Sequence, residues 1–458
     1  MIRVDIPQAI AAASQALQAG DPQAALSALA PLMPLVDSDP EAAAARLSLW
    51  RALPGQPGLR QEVGRILDAW PDDVTLITRA CDALIRDAER IPIDQPAPEG
   101  GSAQLAADAA ERCLAAHGQG SLDPMLEAYL LVNRGNALRL LHRHEEAQTC
   151  LEQALERDAE RAGWWFNLGL VHKARRAFGD GLKAYRRARE LMGDERPLLW
   201  NLAICAIGSG KGAAAVEALR ALGHDAQLTP RGMPYVADLP PLQVRVATVG
   251  SGLGPEGVLP ERSVGFELLW VTPLSPCHGV VASASYRQAS ADFGDLVLWD
   301  GTPVDVVEHA GKPLPRFPLL GILRKGEEHI FRYVALQQQK GQVAAFGETL
   351  PGDGRIFIHR EQVEHLCSRC ASGEHMHKHE HTAPEEHMLV YGKIVLPAGT
   401  DLSAWREALG AALARHPGVQ LVMPGLHEAI GDSPAAGKAH QLWRGLEKRG
   451  QRLEQRTP

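Results

Sequence analysis

No basic surplus is present in this chain. Its formal charge of −8 argues against a general nucleic-acid binder, which needs spare cations to neutralise phosphates. Long apolar runs are missing too. Nothing approaches 18 consecutive apolar residues, so no membrane-spanning helix is expected. The opening "MIRVDIPQAI" has one basic residue and no apolar core, which speaks against a secretory signal. Cysteine is sparse, with seven in 458 residues, and only Cys367 and Cys370 lie close together. An odd, scattered set fits reduced thiols in a cytoplasmic protein better than a disulfide framework.

What is present is length and a period. A chain of 458 residues predicts two or three domains. "NRGNALRLLHRHEEAQTCLEQAL" begins at Asn133, "NLGLVHKARRAFGDGLKAYRRAR" at Asn167 and "NLAICAIGSGKGAAAVEALRAL" at Asn201, a spacing of 34 residues. Gly135, Gly169 and Ala203 share one column, and Leu151, Tyr185 and Leu219 another. Small residues let two helices approach closely, while larger ones fill the seam between repeats.

These columns resemble the tetratricopeptide repeat (TPR) family, whose unit is a 34-residue helix–turn–helix. The resemblance covers roughly 124–224 and implies a solenoid with a groove for a protein or peptide partner. Fainter Ala-rich segments opening at Pro7, Pro40 and Asp73 continue the array toward the N-terminus. Candidate partner-binding residues are Asn133, Asn136, Arg139, Asn167, Lys173 and Asn201. Asn136 and Asn167 match two asparagines of the chaperone-binding carboxylate clamp, but Val132, Pro197 and Asn201 stand at its basic positions. Arg139 and Lys173 share a column and suggest a preference for acidic ligands, or simply a solvated face.

Two glycine-rich stretches are set aside. "GSGKG" at 208–212 lacks the rest of a phosphate loop and falls at an inter-helix turn, while "GLGPEG" at 252–257 is followed by no helix.

The second half changes to Val/Ile/Gly-rich alternation. Expected boundaries are TPR-like repeats over 1–90, a linker or insertion at 91–104, TPR repeats over 105–224 and a linker at 225–241. A β-rich domain then occupies 242–315, a ferredoxin-like α+β domain 325–430 with a His/Cys-rich loop at 362–386, and a C-terminal helix and tail 431–458. The predicted fold class is therefore multidomain. An all-α helical solenoid precedes an α+β region, made of a small sheet or barrel and a split β-α-β arrangement carrying a metal-binding insertion.

That insertion, "CSRCASGEHMHKHEHTAPEEH", holds the densest chemistry. Cys367 and Cys370 form a C-x2-C pair able to bind one face of a tetrahedral zinc. His375, His377, His379 and His381 follow at alternate positions; an extended chain puts all four nitrogen donors on one side, and a helix aligns only the pairs His375/His379 and His377/His381. A structural zinc on Cys367, Cys370, His379 and His381 is the leading expectation, with His375 and His377 as substitutes and Cys277–His278 as a further donor pair. Gly373, His379, His381, Glu385 and Gly392 also resemble the first motif of the cupin family, which implies a metal with an open position on His379, His381 and Glu385. The second cupin motif is absent. An exposed histidine loop with adventitious metal affinity is the third reading. The functional expectation is thus a cytoplasmic TPR adaptor with a zinc-stabilised recognition domain. Alternatives are a metal-dependent enzyme acting on a recruited partner, or a metal sensor or carrier.

Overall fold

The structure, a computed structural model, describes residues 5–117, 121–249, 264–286, 288–359 and 389–454. It divides into two compact units, Met1–Pro234 and Tyr235–Pro458.

Helices build the first unit: α1 (Ile6–Gln18), α2 (Pro22–Leu29), α3 (Pro40–Ala52), α4 (Leu59–Ala69), α5 (Val74–Ala88), α6 (Ser102–His117), α7 (Pro124–Leu140), α8 (His144–Arg157), α9 (Ala162–Ala174), α10 (Phe178–Met192), α11 (Arg196–Gly208) and α12 (Gly212–Ala221). Their starts are chemically marked. Asp5, Asp21, Asp39, Asp73 and Asp123 cap α1, α2, α3, α5 and α7, each accepting a backbone N–H from the first turn. After Asp21, Asp39 and Asp123 a proline takes the first helical position, where its missing N–H is no loss. One apolar core runs from Val36 on to Ala184 and includes Leu84, Leu130, Leu151 and Val171.

The 34-residue columns have a packing cause. A Cβ built on Gly135 would lie 2.9 Å from Leu151, and one on Gly169 would lie 2.6 Å from the Tyr185 ring. Real Cβ atoms essentially never come that close, so a methyl group at either position would force Leu151 or the Tyr185 ring to shift. The small residue and its large partner are the two faces of one helix pair. "GSGKG" spans the turn from α11 to α12.

Two short strands, β1 (Gln227–Leu228) and β2 (Pro234–Tyr235), lie where the chain passes between units. The second unit then forms β3 (Leu242–Val249), β4 (Val264–Ser275), β5 (His278–Val281), β6 (Gln288–Ala289), β7 (Leu296–Trp299), β8 (Asp305–His309) and β9 (Lys312–Arg324) in the order β6-β3-β4-β5-β7-β9-β8. A parallel pairing of β3 with β9, Val244 opposite Phe317, closes β3, β4, β5, β7 and β9 into a five-stranded barrel-like ring. Its interior is filled by Val244, Val246, Leu269, Val271, Val297 and Trp299. The β-rich region therefore extends past 315, because Lys312–Arg324 is one strand that the ring cannot lose.

A second sheet follows. Its elements are β10 (His329–Gln337), α13 (Gln342–Gly347), β11 (Arg355–His359), β12 (Leu389–Leu396), α14 (Leu402–Ala414), β13 (Val419–Val422), α15 (Pro424–Ala429) and α16 (Ser433–Glu454). The strand order is β11-β12-β10-β13, with every pairing antiparallel. Phe331, Tyr333, Ile394 and Leu396 face one way, against Phe346 of α13 and Trp405 and Leu409 of α14. Val334 and Leu389 face the other way, against Trp443 and Leu446 of α16.

Candidate functional site

Alternation along α7 brings Tyr129, Asn133, Asn136 and Leu140 onto one stripe, at spacings of four, three and four residues. The same register on α9 gives Gly163, Asn167, Leu170 and Ala174. Within these stripes Asn136 and Asn167 are half-buried, and Tyr129 is exposed with its ring edge-on to Trp164 at 5.7 Å. Asn136 Oδ1 is enclosed and has no hydrogen-bond partner among the described residues.

The other four candidate residues are buried inside the array. Asn133 Nδ2 donates to the Thr78 carbonyl at 3.0 Å. Arg139 lies 3.7 Å from Glu89 and is only 8% exposed. Lys173, 2% exposed, donates from Nζ to Asn201 Oδ1 at 2.7 Å, while Asn201 Nδ2 donates to the Pro197 carbonyl at 2.8 Å. Neither a solvated face nor a preference for acidic ligands rests on Arg139 and Lys173. Both cations are spent inside the fold, where a buried charge must be paired. Chemically, the stripes offer amide donors and acceptors beside an aromatic edge.

Sequence reasoning missed a second feature of this unit. Leu26, Met33, Arg46, Trp50, Gly58 and Glu62 line a cleft of about 330 Å³ between the first helices. At its base Arg46 and Glu62 form a two-bonded ion pair at 2.5 Å, with the guanidinium 5.1 Å from the Trp50 ring centroid. Opposite charges on neighbouring helices were visible in the sequence, but their shared burial was not.

The 34-residue columns, the paired helices and the close contacts at Gly135 and Gly169 now stand together. The helical half has the paired-helix repeat fold that the resemblance to tetratricopeptide repeats implies. Solved structures similar to it include proteins described as TPR proteins. One from Thermus thermophilus is 18% identical, covering 44% of this chain and 98% of its own at a TM-score of 0.34. Another, from Parabacteroides merdae, is 15% identical over 50% and 82%, TM-score 0.34. PilW, described as a widely conserved type IV pilus biogenesis factor, is 14% identical over 47% and 91%, TM-score 0.36. No family model and no curated protein matches the chain.

Beyond the helical repeats, Cys277 and His278 lie at the β4–β5 turn, completely buried. Ser275 Oγ sits 2.6 Å from His278 Nδ1 and 3.8 Å from Cys277 Sγ. Burial pushes the thiol up to about 12, and burial alone pushes the imidazole down to about 4. That is the reverse of what a thiolate–imidazolium pair or a thiolate metal ligand requires. Among the described residues no group of three or more His, Cys, Asp or Glu side chains could hold a metal. Cys367, Cys370, His375, His377, His379, His381 and Glu385 all lie outside the described residues. Gly392, the last glycine of the cupin-like pattern, has a structural cause of its own. A Cβ there would collide with the Phe357 carbonyl oxygen and lie 2.5 Å from the Tyr333 hydroxyl.

Proposed function

We propose that this protein is an interaction protein whose TPR region binds an extended segment of a partner, and whose C-terminal unit adds a second recognition surface. The observation that carries the reading is the polar stripe on α7 and α9, where Asn136 holds an acceptor with no partner among the described residues and Asn167 stays half-buried. Repeat arrays use first-helix positions of this kind to hold peptide backbone. The Asn136→Ala/Asn167→Ala double variant tests it. Captured partner should fall by roughly tenfold, the loss of one or two hydrogen bonds that the complex cannot replace. Helical circular dichroism should stay unchanged. Undiminished capture would remove the stripe from the binding surface.

For the C-terminal unit, the strand order β11-β12-β10-β13 with helices after β10 and β12 supports a ferredoxin-like split β-α-β reading. In that frame residues 360–388 connect two strands that pair directly, His359 opposite Tyr391. A hairpin needs only a few residues to make such a turn. The proposed ordering agent is zinc on Cys367, Cys370, His379 and His381, with His375 and His377 as substitutes; thiolate and imidazole are the donors that zinc takes in closed structural sites. Metal analysis of the purified full chain should find one tightly held zinc per molecule, lost in the Cys367→Ser and Cys370→Ser variants. Metal content unaffected by either change would dismiss the staple. Iron or manganese retained on His379, His381 and Glu385 would point to chemistry instead.

A further inference from the structure

One face of the second sheet gathers basic side chains. Arg332 and Lys393 stand directly opposite each other on β10 and β12, and alternate with Phe331, Tyr333 and Ile394 of the core. They therefore share the face turned away from α13 and α14. His359 on β11 pairs with Tyr391, two residues along from Lys393, and lies on the same face.

Only Lys393 makes an ion pair among the described residues, while Arg332 has the Asp292 carboxylate and the Tyr286 side chain near it. Lys393 is 6% exposed, donates from Nζ to Ser285 Oγ at 2.6 Å and contacts the Asp292 carboxylate. Asp292 is further held by the Ser285 backbone N–H at 2.8 Å and hydroxyl at 2.9 Å. Arg332 is half-buried, and among the described residues it makes no hydrogen bond or ion pair. His359 Nε2 is enclosed and has no partner among the described residues. The Tyr286 ring covers the imidazole at 5.3 Å between centroids, and Glu267 is occupied by the Tyr286 backbone N–H. Burial first, then the nearby Lys393, keeps His359 neutral, pushed down to about 3.

Two fixed cations thus share Asp292, whose carboxylate Lys393 and Ser285 already engage, and the Glu267 carboxylate is taken by the Tyr286 backbone. Like charges directly across a strand pair repel, and a half-buried guanidinium without a partner forgoes the hydrogen bonds it had in water. A planar guanidinium fits an oxyanion with two parallel bonds, and a neutral imidazole can donate a third from Nε2.

We propose that Arg332, with His359 and Lys393 beside it, forms a binding site for a small oxyanion, a phosphate or carboxylate group. Arg332 grips the ligand, His359 donates to it, and Lys393 supplies field while Asp292 and Ser285 hold it in place. The site belongs to the second unit, and its assignment does not rest on the TPR stripe.

Thermal unfolding of the full chain in increasing inorganic phosphate, against chloride of matched ionic strength, tests the assignment. The C-terminal transition should rise saturably with phosphate and not with chloride. Arg332→Met should weaken the apparent affinity by roughly tenfold or more, as expected for loss of a charged bidentate contact. His359→Leu should weaken it by several-fold and serves if the arginine variant does not fold. A parallel titration with acetate separates the two sources: a response to both anions marks a carboxylate-tolerant site, and a response to phosphate alone marks a phosphate site. No saturable rise with either anion, or the same rise in wild type and both variants, overturns the proposal.

Discussion

Glu62→Ala should cost the helical unit about 3–5 kcal/mol, because the change strands a buried charge. Arg46 and Glu62 have side chains only 3% and 6% exposed, joined by two bonds of 2.5 Å. Removing the carboxylate leaves a guanidinium whose side chain is only 3% exposed without its partner. Its stacking over Trp50 at 5.1 Å offsets only about 1–2 kcal/mol of that cost. The double change Arg46→Met/Glu62→Leu should recover most of the loss, since an apolar pair of similar volume avoids desolvating two ions. Urea unfolding followed by far-ultraviolet circular dichroism reads the helical transition, which must be fitted apart from that of the second unit. A single-variant loss below about 1 kcal/mol would mean that the pair is hydrated after all.

Acid should destabilise the barrel through His278. The unfolded chain takes up a proton near pH 6.5, whereas the folded imidazole, desolvated and beside Ser275, waits until about 4. Its folded pKa is the lower one, so this contribution is complete above pH 6.5 and lost as pH falls from there to about 4. The loss across that window is on the order of 3 kcal/mol. His359, lowered to about 3, adds in the same direction. In His278→Leu the difference in stability between neutral pH and a pH of about 4 should shrink by that amount, whatever its absolute stability. Parallel curves for wild type and variant would show that the barrel opens to let the histidine charge.

The helical half was legible in the sequence because its constraint is local. Gly135 meets Leu151, and Gly169 meets Tyr185, one helix later in each case, so the columns recur at a fixed spacing. The fate of Lys173 was not legible. A charged residue in a repeat column reads as solvated, and its burial depends on Asn201 of the next repeat. Strand β9 was hidden for another reason. Pro313, Pro315 and Pro318 interrupt the pattern expected of a paired strand, yet they stand opposite Glu308, Val306 and Arg245. The cluster at Lys393 was the least accessible of all. Its partners Ser285 and Asp292 lie 108 and 101 residues away in sequence, and no short motif joins them. The histidine-rich stretch, plain in the sequence, lies outside the described residues, so its donors rest on composition and spacing alone.

The barrel's closing seam bears on the order in which the chain acquires structure. Arg316 Nε donates to Gln243 Oε1 at 3.1 Å across a separation of 73 residues, whereas the repeats pair neighbours a turn apart. Distant contacts form only after the entropy of a large loop is overcome, so the ring assembles late and the repeats early. During synthesis the repeats also leave the ribosome first. A nascent chain therefore completes its helical repeats while strands β3 and β4 are still waiting for β9.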